Sequence, residues 1–157
     1  MSTRKLISIL IVFGFLFNCK KNRQSNELNS FLEINIKDTL SKKTVFGSMN
    51  FKYIVNDTVK LTSKDNRVLF IYINVFDKTK KIEEITEVEC DTFFNSTKNF
   101  KETLNTKFYI SPKESGKKIV AGFVEEILFL HGYKYKDTNK IRKIVNRHYF
   151  KKEIIVK

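Results

Sequence analysis

The side chains that could carry out covalent or metal chemistry in this chain are few and scattered. Cys90 would be a nucleophile if a histidine lowered the pKa of its thiol, and the sequence offers two histidines, His131 and His148. Zinc sites need three or four ligands at recognisable spacings, which these residues do not show. We therefore expect Cys90 to pack as a small apolar side chain and the histidines to occupy surface or turn positions.

Two adjacent carboxylates, Glu125 and Glu126, interrupt the apolar run from Ile119 to Leu130. Neighbouring strand residues point to opposite faces, so the pair cannot act together on one glycosidic bond. A buried carboxylate needs a partner or a raised pKa. We predict a structural ion pair, and three arginines could supply the cation: Arg67, Arg142 and Arg147.

A second acidic group consists of Glu87, Glu89 and Asp91, which alternate with Val88 and Cys90 in a strand-like pattern. On one strand face these carboxylates would lie about 7 Å apart. Calcium usually takes six to eight converging oxygen ligands, often from a loop. The pattern therefore predicts a solvated face, and the sequence predicts no catalytic residue, no metal site and no cofactor.

The amino-terminal residues begin with two cations, Arg4 and Lys5, followed by an apolar run from Leu6 to Phe17 in which Ser8 is polar. A helix of this length spans about 18 Å, which is too short for a hydrocarbon core of about 30 Å. A charged segment before a short apolar run is typical of a secretory signal.

The run ends in Leu16-Phe17-Asn18-Cys19. This stretch resembles a bacterial lipobox. Together with the two lysines that follow Cys19, it is similar to leaders of Bacteroidota lipoproteins, in which Asn or Ser precedes Cys-Lys-Lys. The resemblance covers about the first 22 residues. It implies a signal peptide at 1–18, acylation of Cys19, and a polar tether at 19–30 that leads to a single domain at 31–157.

Three cations follow the lipobox cysteine: Lys20, Lys21 and Arg23. Each could add about 1 kcal/mol of attraction to an anionic membrane surface. Some surface-exposed Bacteroidota lipoproteins carry acidic residues at this place. The resemblance therefore implies a protein that is lipid-anchored in the cell envelope, at the outer membrane, and faces the periplasm.

Two short motifs, Asp38-Thr39-Leu40 and Asp57-Thr58-Val59, resemble O-glycosylation sites of Bacteroidota, which have an acidic residue, a hydroxyl residue and an apolar residue. The resemblance makes Thr39 and Thr58 candidate acceptors.

The chain is strongly basic, with 30 Lys and Arg against 17 Asp and Glu and a net charge of +13. Such a charge favours an anionic membrane, glycan or nucleic acid as partner. The lysines are spread along the whole chain, however, and no nucleic-acid motif occurs. We expect a membrane partner through the anchor and no nucleic acid.

Alternation of apolar and polar residues with period two predicts about seven or eight strands. They lie at 32–36, 49–55, 68–76, 87–92, 108–110 and 119–130, and in a carboxy-terminal strand ending at Val156. Residues 138–148 also fit a helix, but their β-branched content favours a strand. The fold class is mainly β: an antiparallel β-sandwich that is immunoglobulin-like, with a small lipocalin-like barrel as the alternative.

The most prominent aromatic and basic stretch is His131-Gly-Tyr-Lys-Tyr-Lys, which we expect to form a loop. Loops at the ends of sandwiches commonly bind partners, so His131, Tyr133, Lys134 and Tyr135 are candidate contact residues. The predicted function is a non-enzymatic binding or accessory module for an envelope protein or an anionic polymer. The alternatives are a lipocalin-like carrier of a small apolar ligand and a hydrolase that uses Glu125 or Cys90.

Overall fold

The computed structural model describes residues 31–52, 62–100, 102–135 and 138–157. The predicted signal peptide, the whole tether with Cys19, and Thr58 lie outside the described residues. Among the helices that are described, none has the length and apolar content needed to cross a bilayer.

The described residues form strands joined by short loops and two short 3-10 helices. The strands are β1 (Phe31–Asn35), β2 (Thr39–Leu40), β3 (Val45–Lys52), β4 (Asn66–Asp77), β5 (Asp91–Thr97), β6 (Leu104–Ile110), β7 (Gly116–Tyr135) and β8 (Thr138–Val156). The 3-10 helices are η1 (Ile82–Glu84) and η2 (Glu87–Glu89), and both lie between β4 and β5.

The strands form two separate sheets, as expected for a sandwich. One sheet has the order β1-β3-β6 and the other has the order β2-β8-β7-β4-β5. The paired strands are antiparallel except for β2 and β8, which are parallel. The mainly β, sandwich-like prediction is confirmed with one correction, because the larger sheet is mixed. The described strands do not close into the barrel that was the alternative.

The core lies between the two sheets and is built by period-two alternation. Met49 and Phe51 of β3 face Leu69, Ile71 and Ile73 of β4 within one buried cluster. The sequence predicted strands at both places, and apolar side chains on one face of a strand indicate burial of that face. Only this face of β4 is fully buried. The side chains on its other face are half-buried.

The segment between β4 and β5 covers part of the outer face of the larger sheet, which is the face turned away from the smaller sheet. Ile85 forms a second apolar cluster with Ile119, Ala121 and Phe123 of β7, and Cys90 packs against it. Residues 87–89 form η2 rather than the predicted strand. Side-chain and backbone bonds between Thr86 and Glu89 close this turn in a capping box, which explains the difference.

The carboxy-terminal part of the chain is a long hairpin of β7 and β8. The strand prediction for residues 138–148 is confirmed, since β8 is continuous from Thr138 to Val156. The prediction that His131 and Gly132 close the preceding strand was wrong, because β7 continues to Tyr135.

Candidate binding surface on the β7–β8 hairpin

The β7–β8 hairpin extends beyond the strand next to it. β4 pairs with β7 only as far as Phe129, whereas β7 and β8 remain paired up to Tyr135 and Thr138. We call residues 130–135 and 138–142 the arm. Among the described strands, none other than β7 and β8 pairs with the arm, and segments at the end of a sheet commonly contact partners.

The predicted contact residues lie on this arm, in a strand rather than in the expected loop. His131 is at its base and half-buried, and the backbone of Tyr133, Lys134 and Tyr135 pairs with residues 138–140 of β8. The sequence pattern located the segment but not its conformation. Contact with a partner remains a prediction.

A β-bulge sets the direction of the arm at its base. The pairing shifts between Leu130 and Tyr133, so that His131 and Gly132 together lie opposite one residue of β8. Gly132 has a φ of 77°, a conformation that glycine adopts without the steric cost of a side chain. Bulges of this kind bend a strand and increase its twist.

Asp65, which directly precedes β4, holds the bulge in place. Its buried carboxylate accepts hydrogen bonds from the backbone amides of His131 and Thr62, both at 2.6 Å. Burial raises the pKa of Asp65, but these amide bonds outweigh it and hold the pKa below its usual value. The carboxylate therefore stays charged at neutral pH, and it joins the end of the β3–β4 connection to the arm.

The outer face of β8 carries apolar and cationic side chains in alternation. Ile141, Val145 and Tyr149 are 58%, 47% and 41% exposed. Three cations occupy the positions two residues after each of them: Lys143, Arg147 and Lys151. Side chains two residues apart on a strand share a face. This row therefore joins exposed apolar surface to positive charge.

Arg147, at the centre of that row, is held against β7. Its guanidinium donates to Glu125 at 3.0 Å and to Glu87 at 3.2 Å, and it lies 4.2 Å from the centre of the Phe123 ring. The hydrogen bond with Glu125 is the main cause that raises the pKa of Arg147. Two carboxylates and an aromatic ring therefore hold the Arg147 guanidinium in a fixed position at the centre of this surface.

One edge of β8 is largely unpaired among the described strands. β2 pairs with Ile155 and Val156 alone, so no described strand pairs with this edge between Thr138 and Ile154. The amide of Ile155 donates to Asp38 O, towards β2. Because backbone groups alternate in direction along a strand, the amides of Tyr149 and Val145 face the same open edge.

A buried polar cluster lies on the inner face below this surface. The side chains of Arg67 and Glu126 are both 0% exposed, and Arg67 Nε donates to Glu126 Oε1 at 2.6 Å. Asn146 Nδ2 donates to the other carboxylate oxygen at 3.2 Å, and the guanidinium carbon lies 5.1 Å from the centre of the Phe51 ring. The predicted ion pairing is confirmed for Glu126 with Arg67 and for Glu125 with Arg147.

His148 belongs to the rim of this cluster, not to a turn or to the open surface. It is half-buried on the inner face of β8, and its ring lies 5.2 Å from that of Phe51. Burial lowers the pKa of His148, the charge of Glu126 raises it, and the charge of Arg67 lowers it. The default expectation for this histidine was wrong. His131 is half-exposed, with Nδ1 3.8 Å from Asp65 Oδ1.

Cys90 is separated from both the arm and the histidines. It precedes β5 and is half-buried against the second apolar cluster, as expected for a packing role, but Val88 is exposed and does not share its environment. Burial raises the pKa of the Cys90 thiol to about 11, and the neighbouring charges of Glu89 and Asp91 add to this. A thiol with that pKa is protonated at neutral pH and is a weak nucleophile.

The acidic group at residues 87–91 does not line a strand face. Glu89 closes the η2 capping box and pairs with Lys80 at 2.7 Å, whereas Asp91 begins β5. Within the described ranges, no three His, Cys, Asp or Glu side chains come together as metal ligands. Thr39, one of the two candidate glycosylation sites, is exposed on β2, and the other, Thr58, lies outside the described residues.

The clefts at the opposite end of the larger sheet are charged. One, of about 300 Å³, contains Lys118, which donates to Asp77 at 2.7 Å and to Glu114 at 2.6 Å. The hydrogen bond that Lys118 donates to Asp77 is the main cause that raises the pKa of Lys118. A cleft occupied by a network of ion pairs is a poor match for a small apolar ligand.

No protein-family model matches the chain, and neither a curated protein nor a solved structure shows significant similarity to it. Function must therefore be inferred from the geometry of the chain itself.

Proposed function

We propose that the protein is a lipid-anchored envelope component whose β domain is a non-enzymatic binding or accessory module. Its arm and the adjoining face of β8 would contact an envelope protein or an anionic polymer. The observation that carries the proposal is the projection of the arm past β4, with Asp65 holding its base. A projecting element next to exposed apolar and basic side chains suits binding better than chemistry.

The anchor rests on the amino-terminal residues. Signal peptide 1–18 would be removed, Cys19 would be acylated, and Lys20 and Lys21 would lie beside anionic headgroups. Two or more acyl chains hold a protein stably to a bilayer, whereas one is marginal. The proposed location is the outer membrane, facing the periplasm.

The anchor is tested by metabolic labelling with a fatty-acid analogue. The wild type should incorporate the label and sediment with membranes, and Cys19→Ala should do neither. Cys90→Ala is the matched control and should be labelled normally. Equal labelling of the wild type and Cys19→Ala would contradict the anchor.

We propose further that the sandwich is immunoglobulin-like. The strand order supports this, with β1, β3 and β6 in the places of strands A, B and E. β4, β7 and β8 would be strands C, F and G, and β5 would be C′. The sequence has no Trp and no cysteine in β3 or β7, so the likeness lies in strand order and not in the usual core residues.

This assignment supports the choice of the arm as contact site. In immunoglobulin variable domains, the B–C and F–G loops lie at the binding end. The arm would be the F–G connection, and Asp65 ends the B–C connection that is bonded to it. Two connections joined at one end form a composite surface.

Crosslinking in intact cells tests the contact site. The wild-type protein should be captured with a specific envelope partner, and the double variant Tyr133→Ser/Tyr135→Ser should lose most of that product. The control is Phe46→Ser/Tyr109→Ser, which removes an exposed aromatic pair from the smaller sheet. If both double variants keep the product, or if both lose it, the arm is not the contact site.

A further inference from the structure

We infer that the open edge of β8 accepts an extended acidic peptide segment of a partner protein, which adds to the larger sheet as a further strand. This inference rests on the proposed binding function and names the mode of contact and the chemistry of the partner. Strand addition uses main-chain hydrogen bonds for affinity and alternate side chains for specificity.

The backbone of β8 supplies the first requirement. From Thr138 to Ile154 the edge has no described strand beside it, and β2 joins only at Ile155 and Val156. Residues Ile141 to Lys151 alone would pair with a peptide about 37 Å long. Their odd-numbered members direct amide and carbonyl groups towards the open edge, as Ile155 does towards Asp38.

The side chains of the same odd-numbered residues supply the second requirement. Lys143, Arg147 and Lys151 alternate with Val145 and Tyr149 on the outer face, and all five are exposed. Cations on an edge strand also guard against aggregation. Here, however, the cations alternate with exposed apolar residues. A strand whose side chains complement this alternation could therefore pair with the edge, whereas other strands would be repelled.

The charge of the edge decides which strand fits. An antiparallel second copy centred on Arg147 would place this residue opposite itself and Lys143 opposite Lys151, and like charges directly opposite each other destabilise a sheet. The tether of the chain itself carries Lys20 and Lys21 and is disfavoured for the same reason. An acidic segment of another protein has the complementary charge.

The other edge of the same sheet does not offer these features. β5 contains Asp91 and no cation. Its edge is linked to β6 by the Asn95 amide, which donates to Asn105 O and Thr106 Oγ1, both at 3.2 Å. A strand-addition site is therefore assigned to β8 and not to β5.

The pattern specifies a probe peptide. Antiparallel to residues 151–143, the positions that face Lys151 and Lys143 should be acidic and those that face Tyr149 and Val145 apolar. The position that faces Arg147 should be neutral and polar, because Glu87 and Glu125 already compensate this charge. A fluorescent 11-residue peptide, Thr-Glu-Thr-Val-Thr-Gln-Thr-Val-Thr-Glu-Thr, meets this requirement. Its binding to the purified full chain is measured by fluorescence anisotropy, beside a peptide of the same composition in scrambled order.

Two N-methylated versions of the peptide separate strand addition from simple charge attraction. Methylation of the backbone amides of the two Glu, two Val and one Gln, which face β8, should weaken binding at least tenfold. Methylation of the intervening Thr amides, which point away, should change it by no more than about threefold. Equal effects of the two patterns, or equal binding of the scrambled peptide, would overturn strand addition.

Charge reversal locates the site. Lys143→Glu/Lys151→Glu should weaken binding at least tenfold, because two cross-strand ion pairs become repulsive contacts. Lys42→Glu/Lys43→Glu makes the same change of net charge in the exposed loop between β2 and β3 and should have little effect. Circular dichroism checks that both variants are folded, and equal weakening by both would overturn the assignment to β8.

Failure of this inference differs from failure of the proposed function. If the crosslinked partner depends on the arm but the two methylation patterns behave alike, strand addition alone is wrong. If inorganic polyphosphate displaces the peptide with no dependence on Lys143 and Lys151, an anionic polymer is the ligand and the peptide assignment falls. Loss of any arm-dependent partner would refute the binding function itself.

Discussion

Replacing Glu126 by Gln tests whether the buried ion pair is required for the sandwich to fold stably. The Glu126 carboxylate bonds Arg67 at 2.6 Å and Asn146 at 3.2 Å, and the side chains of both ion-pair partners are completely buried. The substitution keeps the size of the side chain but leaves the guanidinium charge uncompensated. Removing one partner of a buried pair costs about 3–5 kcal/mol.

The neighbouring residue provides a matched control. Glu125→Gln makes the same chemical change one position earlier, in a pair whose arginine is more than a third exposed. Such pairs contribute about 0–1 kcal/mol. The two substitutions should therefore differ by at least about 2 kcal/mol in the free energy of unfolding, although they are adjacent in sequence.

A double variant distinguishes the cost of losing the whole ion pair from the cost of leaving one of its charges unpaired. Arg67→Met/Glu126→Leu removes both charges and fills similar volume, and it leaves the Asn146 amide without its acceptor. We expect a cost of about 1–3 kcal/mol for that orphaned donor, less than for Glu126→Gln alone.

Urea unfolding followed by circular dichroism measures all three free energies. The reasoning is refuted if Glu126→Gln costs no more than Glu125→Gln. It is also refuted if the double variant is less stable than Glu126→Gln, since the loss would then come from packing and not from an unpaired charge.

Three further results are expected. Gly122→Ala should destabilise the domain by more than about 2 kcal/mol in urea unfolding, because its Cβ would overlap the carbonyl oxygen of Tyr72 on the neighbouring strand, and an unchanged midpoint would contradict this. Cys90, with a pKa of about 11, should react with Ellman's reagent more than tenfold more slowly at pH 8 than an ordinary exposed thiol, with the rate rising towards pH 11, and fast reaction at pH 8 would contradict the burial. The hydrogen bond from Lys80 lowers the pKa of Glu89 from 4.5 to about 2, so its contribution to stability is present above pH 4.5 and is lost as the pH falls towards 2. Glu89→Gln should flatten the pH dependence of the free energy of unfolding in that range, and an unchanged slope would show that other carboxylates cause it.

The strands could be predicted from the sequence wherever one face of the strand is buried and the other is exposed to solvent. Met49 and Phe51 alternate with polar residues, and both are fully buried in β3. The helical interpretation of residues 138–148 failed because β8 pairs along its length with β7, which a local pattern does not reveal. The β-branched residues correctly favoured the strand.

The strand predicted at residues 87–92 was wrong in its first half because local hydrogen bonds form a turn there. Glu87, Glu89 and Asp91 imitate strand alternation, but the Thr86 and Glu89 side chains close a turn instead. The motif of a threonine followed three residues later by a glutamate was visible in the sequence and is a known signal for such a cap.

The sequence indicated which residues form the arm but not their conformation. Glycine usually interrupts a strand, so ending β7 near Gly132 was reasonable. The strand continues because Asp65, 66 residues earlier, accepts the amide of His131. Similarly, the choice among Arg67, Arg142 and Arg147 as partners for the two glutamates required the register of β4, β7 and β8.

The short parallel ladder between β2 and β8 has a consequence for the timing of folding. It pairs Thr39 and Leu40 with Ile155 and Val156, so β2 finds its partner only after residues 116 positions later in the chain have been synthesised. Contacts this distant in sequence slow folding. Until they form, the end of β8 at Ile155 and Val156 is an unpaired sheet edge that is open to aggregation. Loss of a few residues near Val156 should therefore reduce the yield of folded protein out of proportion to the contacts removed.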